Sequence, residues 1–316
     1  MDILITSTSF DDSVGKHHDY LESYNFNLTK LRGPLKATEL IPIIDQFDGI
    51  ICGDDEYSKD VLKKGAKGKL KILSKYGVGL DKIDLNFAKT VNICVKNCLN
   101  INNITVSEHV FGLILTYLKN IHLEFNYTRY GNWTRLIGTD VYQKTIGILG
   151  LGNIGKEVAK RAKAFGMKII AFDSNPDMAF CTKNEIKVSI DLKSFFTELD
   201  ILSINLPLIQ STYHIINEEI ISNYFKKGLI IVNTARSEII NMKDLIIGLK
   251  SGIVGAYLTD VLESEPMAPN HPLTKLPNVI ITPHIASRTK ENIEKQGIQA
   301  VTNLVTYLFN KEIEDF

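Results

Sequence analysis

The chain has 316 residues, 44% hydrophobic and 23% charged, which suits a globular protein of about two domains. Its 36 basic and 36 acidic side chains cancel, arguing against nucleic acid or an anionic membrane surface as partner. Four cysteines (Cys52, Cys94, Cys98, Cys181) lie in or beside apolar runs and read as reduced thiols of a cytoplasmic protein. The spacing of Cys94 and Cys98 does not suit a zinc knuckle, and no metal site is expected.

From the N-terminus, strand and helix signals alternate. Residues 3–5, 49–52, 71–73 and 93–95 are short apolar runs; the first is too short, and its flank too acidic, for a signal peptide. No run approaches the ~18 residues of a membrane span. Residues 37–46 and 58–64 have helical spacing, with Thr38 and Ser58 as N-caps. This alternation predicts a parallel sheet flanked by helices, in a unit of about 100 residues. After the third run comes Lys75-Tyr-Gly-Val-Gly79, a ligand loop at a strand's carboxyl end or a plain turn. Asn102 to Ser107 offers caps for a long apolar helix over 105–118, leading into a second unit. Glu108 and His109 fall in its first turn, with His109 expected as a packed histidine.

The second unit opens on an apolar, β-branched run over 144–149, followed by Gly150, Gly152 and Gly155 at G-x-G-x-x-G spacing and a helix over 153–165. Gly150 permits a tight turn, Gly152 lets the backbone approach a pyrophosphate, and Gly155 lets helix and strand pack closely. A further strand over 167–172 delivers Asp173, 18 positions after Gly155, where an acid binds the adenosine ribose. The bland alternative is a βαβ unit without ligand. An acid there repels a 2′-phosphate, so NAD is expected rather than NADP. Strands over 201–205, 229–233, 253–258 and 279–281 complete a doubly wound sheet of about six strands. A final helix over 289–309 is expected to return to the first unit. Arg236, Glu265 and His284 each stand just past a strand end, where an open α/β sheet gathers its chemistry. Each alone could be a surface Arg, a loop Glu or a histidine held after proline.

Together these residues resemble the D-isomer-specific 2-hydroxyacid dehydrogenases, which include phosphoglycerate, glycerate/hydroxypyruvate and D-lactate dehydrogenases. The resemblance rests on Tyr76 to Asp84, Gly150 to Gly155 with Asp173, Asn233-Thr-Ala-Arg236, Asp260 to Pro266 and Thr282 to Ser287. It implies two doubly wound α/β domains. A flavodoxin-like substrate domain (1–100 plus 289–316) would carry an inserted Rossmann NAD-binding domain (101–288), in a homodimer. Arg236 would grip the substrate carboxylate and polarise the keto oxygen. His284 would exchange the hydroxyl proton while hydride passes to or from nicotinamide, and Glu265 would orient His284 and hold its proton. Backbone amides of Val78 and Gly79 would meet the carboxylate. Asn153 and Ile154 would contact the pyrophosphate, and Thr234, Asp260 and Ser287 would line the nicotinamide side.

Two departures stand out. Ser237-Glu238 replaces a glycine pair found in many members, and neither an appended regulatory domain nor serine feedback is expected. In phosphoglycerate-type relatives, basic groups hold the substrate phosphate. Here Lys75 survives, with Arg135 a candidate further contact, but Cys52 is followed by Gly53-Asp54-Asp55-Glu56. A small unphosphorylated keto acid such as hydroxypyruvate or glyoxylate is therefore expected, with 3-phosphohydroxypyruvate as the alternative. An NAD(H)-sensing corepressor is the reading from a different class.

Overall fold

The structure, a computed structural model, describes residues 1–310. It separates into two compact units, Met1–Asn102 with the stretch from Arg288 onward, and Asn103–Ser287. The last six residues of the substrate domain expected over 289–316 lie outside the described residues.

The first unit is a five-stranded parallel sheet: β1 (Asp2–Ile5), β2 (Asn27–Lys30), β3 (Gly49–Cys52), β4 (Ile72–Lys75) and β5 (Cys94–Asn97). Its order, β2-β1-β3-β4-β5, is the flavodoxin-like one. Side chains alternate along the strands, so both faces are apolar. Leu4, Ile50, Cys52 and Leu73 pack with Leu40, Val61 and Leu62. Ile3, Ile5, Ile51 and Ile72 pack with Phe10, Leu21 and the C-terminal helix Lys290–Phe309 through Ala300, Val301 and Leu304. That helix is tied in by Ser74 Oγ donating to the Ala300 carbonyl (2.7 Å). β2 escaped the pattern reading because Asn-Leu-Thr-Lys is an exposed edge with one apolar residue. The helix expected over 37–46 is two pieces, Ala37–Leu40 and a 3-10 turn at Ile44–Gln46, broken at Pro42, which offers no N–H to continue the first. Thr38 lies inside that first helix; Lys36 takes the cap position, its N–H held by Glu39 (2.9 Å). Ser58 does occupy a cap position, without a side-chain cap bond.

The second unit is a seven-stranded parallel sheet of β6 (Thr145–Leu149), β7 (Lys168–Phe172), β8 (Lys187–Val188), β9 (Ile201–Ile204), β10 (Leu229–Asn233), β11 (Val254–Thr259) and β12 (Val279–Ile281). The order β12-β11-β10-β9-β6-β7-β8 is the dinucleotide-binding order extended by one strand, with its switch point between β6 and β9. Six strands were expected; the seventh, β8, is two residues long and too short to carry a pattern. The sheet's alternating side chains feed two apolar layers, one around Ile146, Ile148 and Val232, the other around Leu202, Ile204 and Ile231. The helix Asn103–Leu118 packs in the first layer through Val110, Phe111 and Ile114. It begins two residues earlier than the pattern suggested, which moves Glu108 and His109 into its second turn. Among the described residues no helix is long and apolar enough to cross a membrane.

Candidate active site

The carboxyl ends of β6, β7, β10, β11 and β12 carry the polar groups singled out above. After β6 the chain turns at Gly150 with φ +93°, and a Cβ there would lie 2.8 Å from the Asn205 carbonyl oxygen across the switch point. A Cβ on Gly155 would meet the Gly150 carbonyl at 2.1 Å, so helix Asn153–Ala164 approaches the strand only as glycine allows. Gly152 differs: its side-chain direction points into open space. It caps the helix without any side-chain bond, at the helix end whose dipole favours an anion. Asp173, just past β7, accepts from Leu151 N–H (2.6 Å) and Asn175 N–H (2.8 Å), which pins the acid against the glycine turn. An open cradle over Gly152 at the start of a twelve-residue helix, with a carboxylate in register, fits a dinucleotide.

At the end of β10, buried Asn233 shapes the turn that presents Arg236. Its Oδ1 accepts from Ala235 N–H (3.0 Å), and its amide donates to the Arg236 carbonyl (2.9 Å) and to Tyr257 Oη (3.2 Å). Arg236 is half-buried in extended backbone, with Nη1 donating to the Ala235 carbonyl (2.8 Å). Ser237 and Glu238, noted above as a departure, lie in a one-turn 3-10 helix over Ser237–Ile239, with the Ser237 hydroxyl donating to the Glu238 carboxylate (3.0 Å).

The ends of β11 and β12 are joined by one buried carboxylate. Asp260 is 1% exposed. Its Oδ1 accepts from the Thr282 hydroxyl (2.5 Å) and Ile285 N–H (2.9 Å), and its Oδ2 from Ala286 N–H (2.7 Å). His109 reaches the same knot from its helix, with Nε2 2.9 Å from Thr282 Oγ1 and 3.6 Å from Asp260 Oδ1. Between these anchors His284 holds a left-handed backbone, φ +54°, uncommon for a residue with a Cβ. Its Nδ1 lies 2.7 Å from Glu265 Oε2, while Glu265 Oε1 accepts from Leu262 N–H (2.9 Å). Both side chains are 36% exposed, so the pair is presented at the surface of the strand ends. A neighbouring carboxylate on Nδ1 selects the tautomer and steadies the imidazolium, as proton transfer requires.

In the first unit the glycine loop follows β4. Gly77 takes φ +119°. Asn97 donates to the Val78 carbonyl (2.7 Å) and Cys98 N–H to the Gly77 carbonyl (2.9 Å), which fix the loop that carries the Val78 and Gly79 amides. Lys75 is buried beneath it and donates to Asp54 Oδ1 (2.7 Å). Among the described residues no group of three or more His, Cys, Asp or Glu is placed to hold a metal ion.

Comparison with known proteins decides the family. Residues 111–286 match the D-isomer specific 2-hydroxyacid dehydrogenase, NAD binding domain. The chain belongs to this family. It is 33% identical over 294 residues to a glyoxylate reductase of Korarchaeum cryptofilum, covering 90% of this chain and 87% of the relative. It is 38% identical over 277 residues to a hydroxypyruvate reductase of Thermotoga maritima, covering 85% and 88%. The apo D-lactate dehydrogenase of Escherichia coli superposes with a TM-score of 0.85 at 27% identity, covering 99% of this chain and 98% of that one. The protein is thus an NAD-dependent D-2-hydroxyacid dehydrogenase, with the NAD-binding unit built on the second sheet.

Within this dehydrogenase the structure joins Glu265 to His284, and Asp173 to the glycine turn. It places Arg236, Thr234 and Ser287 just past strand ends. Asp260, expected on the nicotinamide side, uses its carboxylate inside the His284 loop. Asn233, Thr282 and His109 carry supporting bonds that pattern reading did not assign. For Asn233 a signal existed, since an Asn closing an apolar strand commonly turns onto its own backbone.

Proposed function

We propose that this enzyme reduces a small unphosphorylated 2-keto acid of the glyoxylate or hydroxypyruvate type with NADH, and oxidises the corresponding D-2-hydroxy acid in reverse. The carrying observation is the His284–Glu265 pair at 2.7 Å, held past the last strand of a sheet whose switch point fits a dinucleotide. With Nδ1 engaged by Glu265, Nε2 of His284 gives a proton to the keto oxygen on reduction and takes it back on oxidation. Arg236 grips the substrate carboxylate with its planar guanidinium and polarises the keto group. Gly150, Gly152 and Gly155, with the first-turn amides of Asn153 and Ile154, hold the pyrophosphate; Asp173 takes the adenosine ribose, and Thr234 and Ser287 the nicotinamide side. When bound, NADH supplies the hydride. The first unit serves as the substrate domain, its Val78 and Gly79 amides meeting the carboxylate.

We infer that the protein works in the cytoplasm as a homodimer. Four unpaired cysteines support the first point. The second rests on a contiguous segment where Phe125, Tyr130, Trp133 and Ile137 are 60–96% exposed, an apolar surface suited to a second copy. Steady-state turnover of a panel of 2-keto acids with NADH tests the function. Reduction of glyoxylate or hydroxypyruvate supports it, and NADH binding without turnover of any keto acid overturns it in favour of a sensing role.

A further inference from the structure

The three acids following Cys52 are not equivalent. Asp55 is fully buried and its carboxylate is used locally, accepting from the Thr6 hydroxyl (2.5 Å), Leu35 N–H (2.7 Å) and Gly53 N–H (3.1 Å). Glu56 is exposed and accepts from Ala37 N–H (3.1 Å). Asp54 alone reaches the glycine loop: its Oδ1 accepts from Lys75 Nζ at 2.7 Å. The lysine side chain is 5% exposed and the aspartate side chain 46%. The buried ammonium lies 3.9 Å from where a side chain at position 77 would begin, immediately under the loop whose Val78 and Gly79 amides are assigned to the substrate. The floor of this loop therefore carries a compensated pair, with its carboxylate on the exposed side.

Resting on the function proposed above, we propose that Asp54 is a specificity-determining residue that confines the enzyme to 2-keto acids whose only anionic group is the carboxylate. Lys75 is the basic residue that closes β4, and a phosphate ester needs two or three charge-assisted contacts. Asp54 occupies the lysine and places a negative charge where a phosphate dianion would approach, so the pocket discriminates by repulsion as much as by fit. Hydrogen, methyl or hydroxymethyl on C2 carries no charge for it to repel.

The test compares kcat/KM for hydroxypyruvate and 3-phosphohydroxypyruvate at saturating NADH in the full chain, in Asp54→Asn and in Glu56→Gln. The first variant keeps an oxygen for Lys75 at a half-exposed site, so the fold is retained; the second removes the same charge from a neighbour that does not touch Lys75. Wild type is expected to favour hydroxypyruvate. Asp54→Asn is expected to shift the ratio toward the phosphorylated substrate by about tenfold or more, the size of one charge-assisted contact, and Glu56→Gln by less than about twofold. A ratio unmoved in Asp54→Asn, an equal shift in Glu56→Gln, or a wild type favouring the phosphorylated acid overturns the proposal. Failure of the functional reading looks different, as wild type then reduces neither glyoxylate nor hydroxypyruvate. Thermal-shift affinities of the NADH complex for D-glycerate and 3-phospho-D-glycerate give the same comparison without turnover, and an unchanged ratio there overturns the role of Asp54 independently.

Discussion

Replacing Asp260 by asparagine probes the knot that holds the His284 loop. The native carboxylate accepts three bonds, two on Oδ1 from Thr282 and Ile285 and one on Oδ2 from Ala286. A carboxamide has one acceptor oxygen. With that oxygen toward Thr282 and Ile285, its NH₂ faces the buried Ala286 N–H, donor against donor. The change forfeits one charge-assisted bond, about 1.5–3 kcal/mol, and strands a buried donor for about 1–3 more, so a loss near 3–5 kcal/mol is expected. For a unit spanning Asn103–Ser287 that corresponds to a fall in Tm of roughly 10 °C by calorimetry. His284, between the anchors in a left-handed backbone, loses its fixed placement, and misplacement by about an ångström costs on the order of 100-fold in kcat/KM. NADH affinity through the glycine turn should change little. A variant within about 2 °C of wild-type Tm, and within about threefold in kcat/KM, would show that this carboxylate does not hold the loop.

The remaining predictions address the proton relay, the cofactor and acid stability. His284→Ala should cost about 10²–10⁴ in kcat with NADH binding retained by fluorescence titration. Glu265→Gln keeps the shape but removes the charge 2.7 Å from Nδ1, so the pH above which keto-acid reduction declines should move down; an unmoved profile rules Glu265 out as the partner. Asp173 should make NADH preferred to NADPH by well over tenfold in kcat/KM, and Asp173→Ser should narrow that gap; equal use of both by wild type would refute the assignment. His18 is buried, and burial first, then the neighbouring His17 and Lys30, depresses its affinity for a proton below the ordinary 6.5. The unfolded chain therefore binds more protons, so this stability is present above pH 6.5 and is lost as pH falls below it. Tm should drop on acidification from neutral pH into that window, and less steeply in His18→Gln; parallel curves for the two proteins would contradict the burial argument.

How much of this was legible in the sequence depended on whether a feature is local. Gly150 and Gly155 announce themselves because backbone geometry forbids any other residue, one by φ and one by a carbonyl 2.1 Å away. Arg236, Glu265 and His284 are legible for a related reason: each follows shortly after an apolar strand ends, and parallel strands end on one side. β2 and the two-residue β8 left no pattern because edge strands need not bury a face. At 37–46, Pro42 should have weighed more than helical spacing, since a missing N–H outranks a modest apolar stripe. The site's supporting bonds were illegible for a deeper reason. Asp54, Asp55 and Glu56 are near-equivalent on paper, and only the fold decides that Asp55 is consumed by Thr6, Leu35 and Gly53 while Asp54 reaches Lys75. Asp260 likewise sits at a strand end just as Arg236 does, yet Thr282 and two backbone amides claim it from a segment some 25 residues on. A strand-end position marks a polar residue as available to the site. Whether its polar atoms face a substrate or an adjoining loop is settled by which donors the tertiary fold brings within about 3 Å, and a buried carboxylate takes those donors first because leaving them unmet costs more than any exposed contact returns.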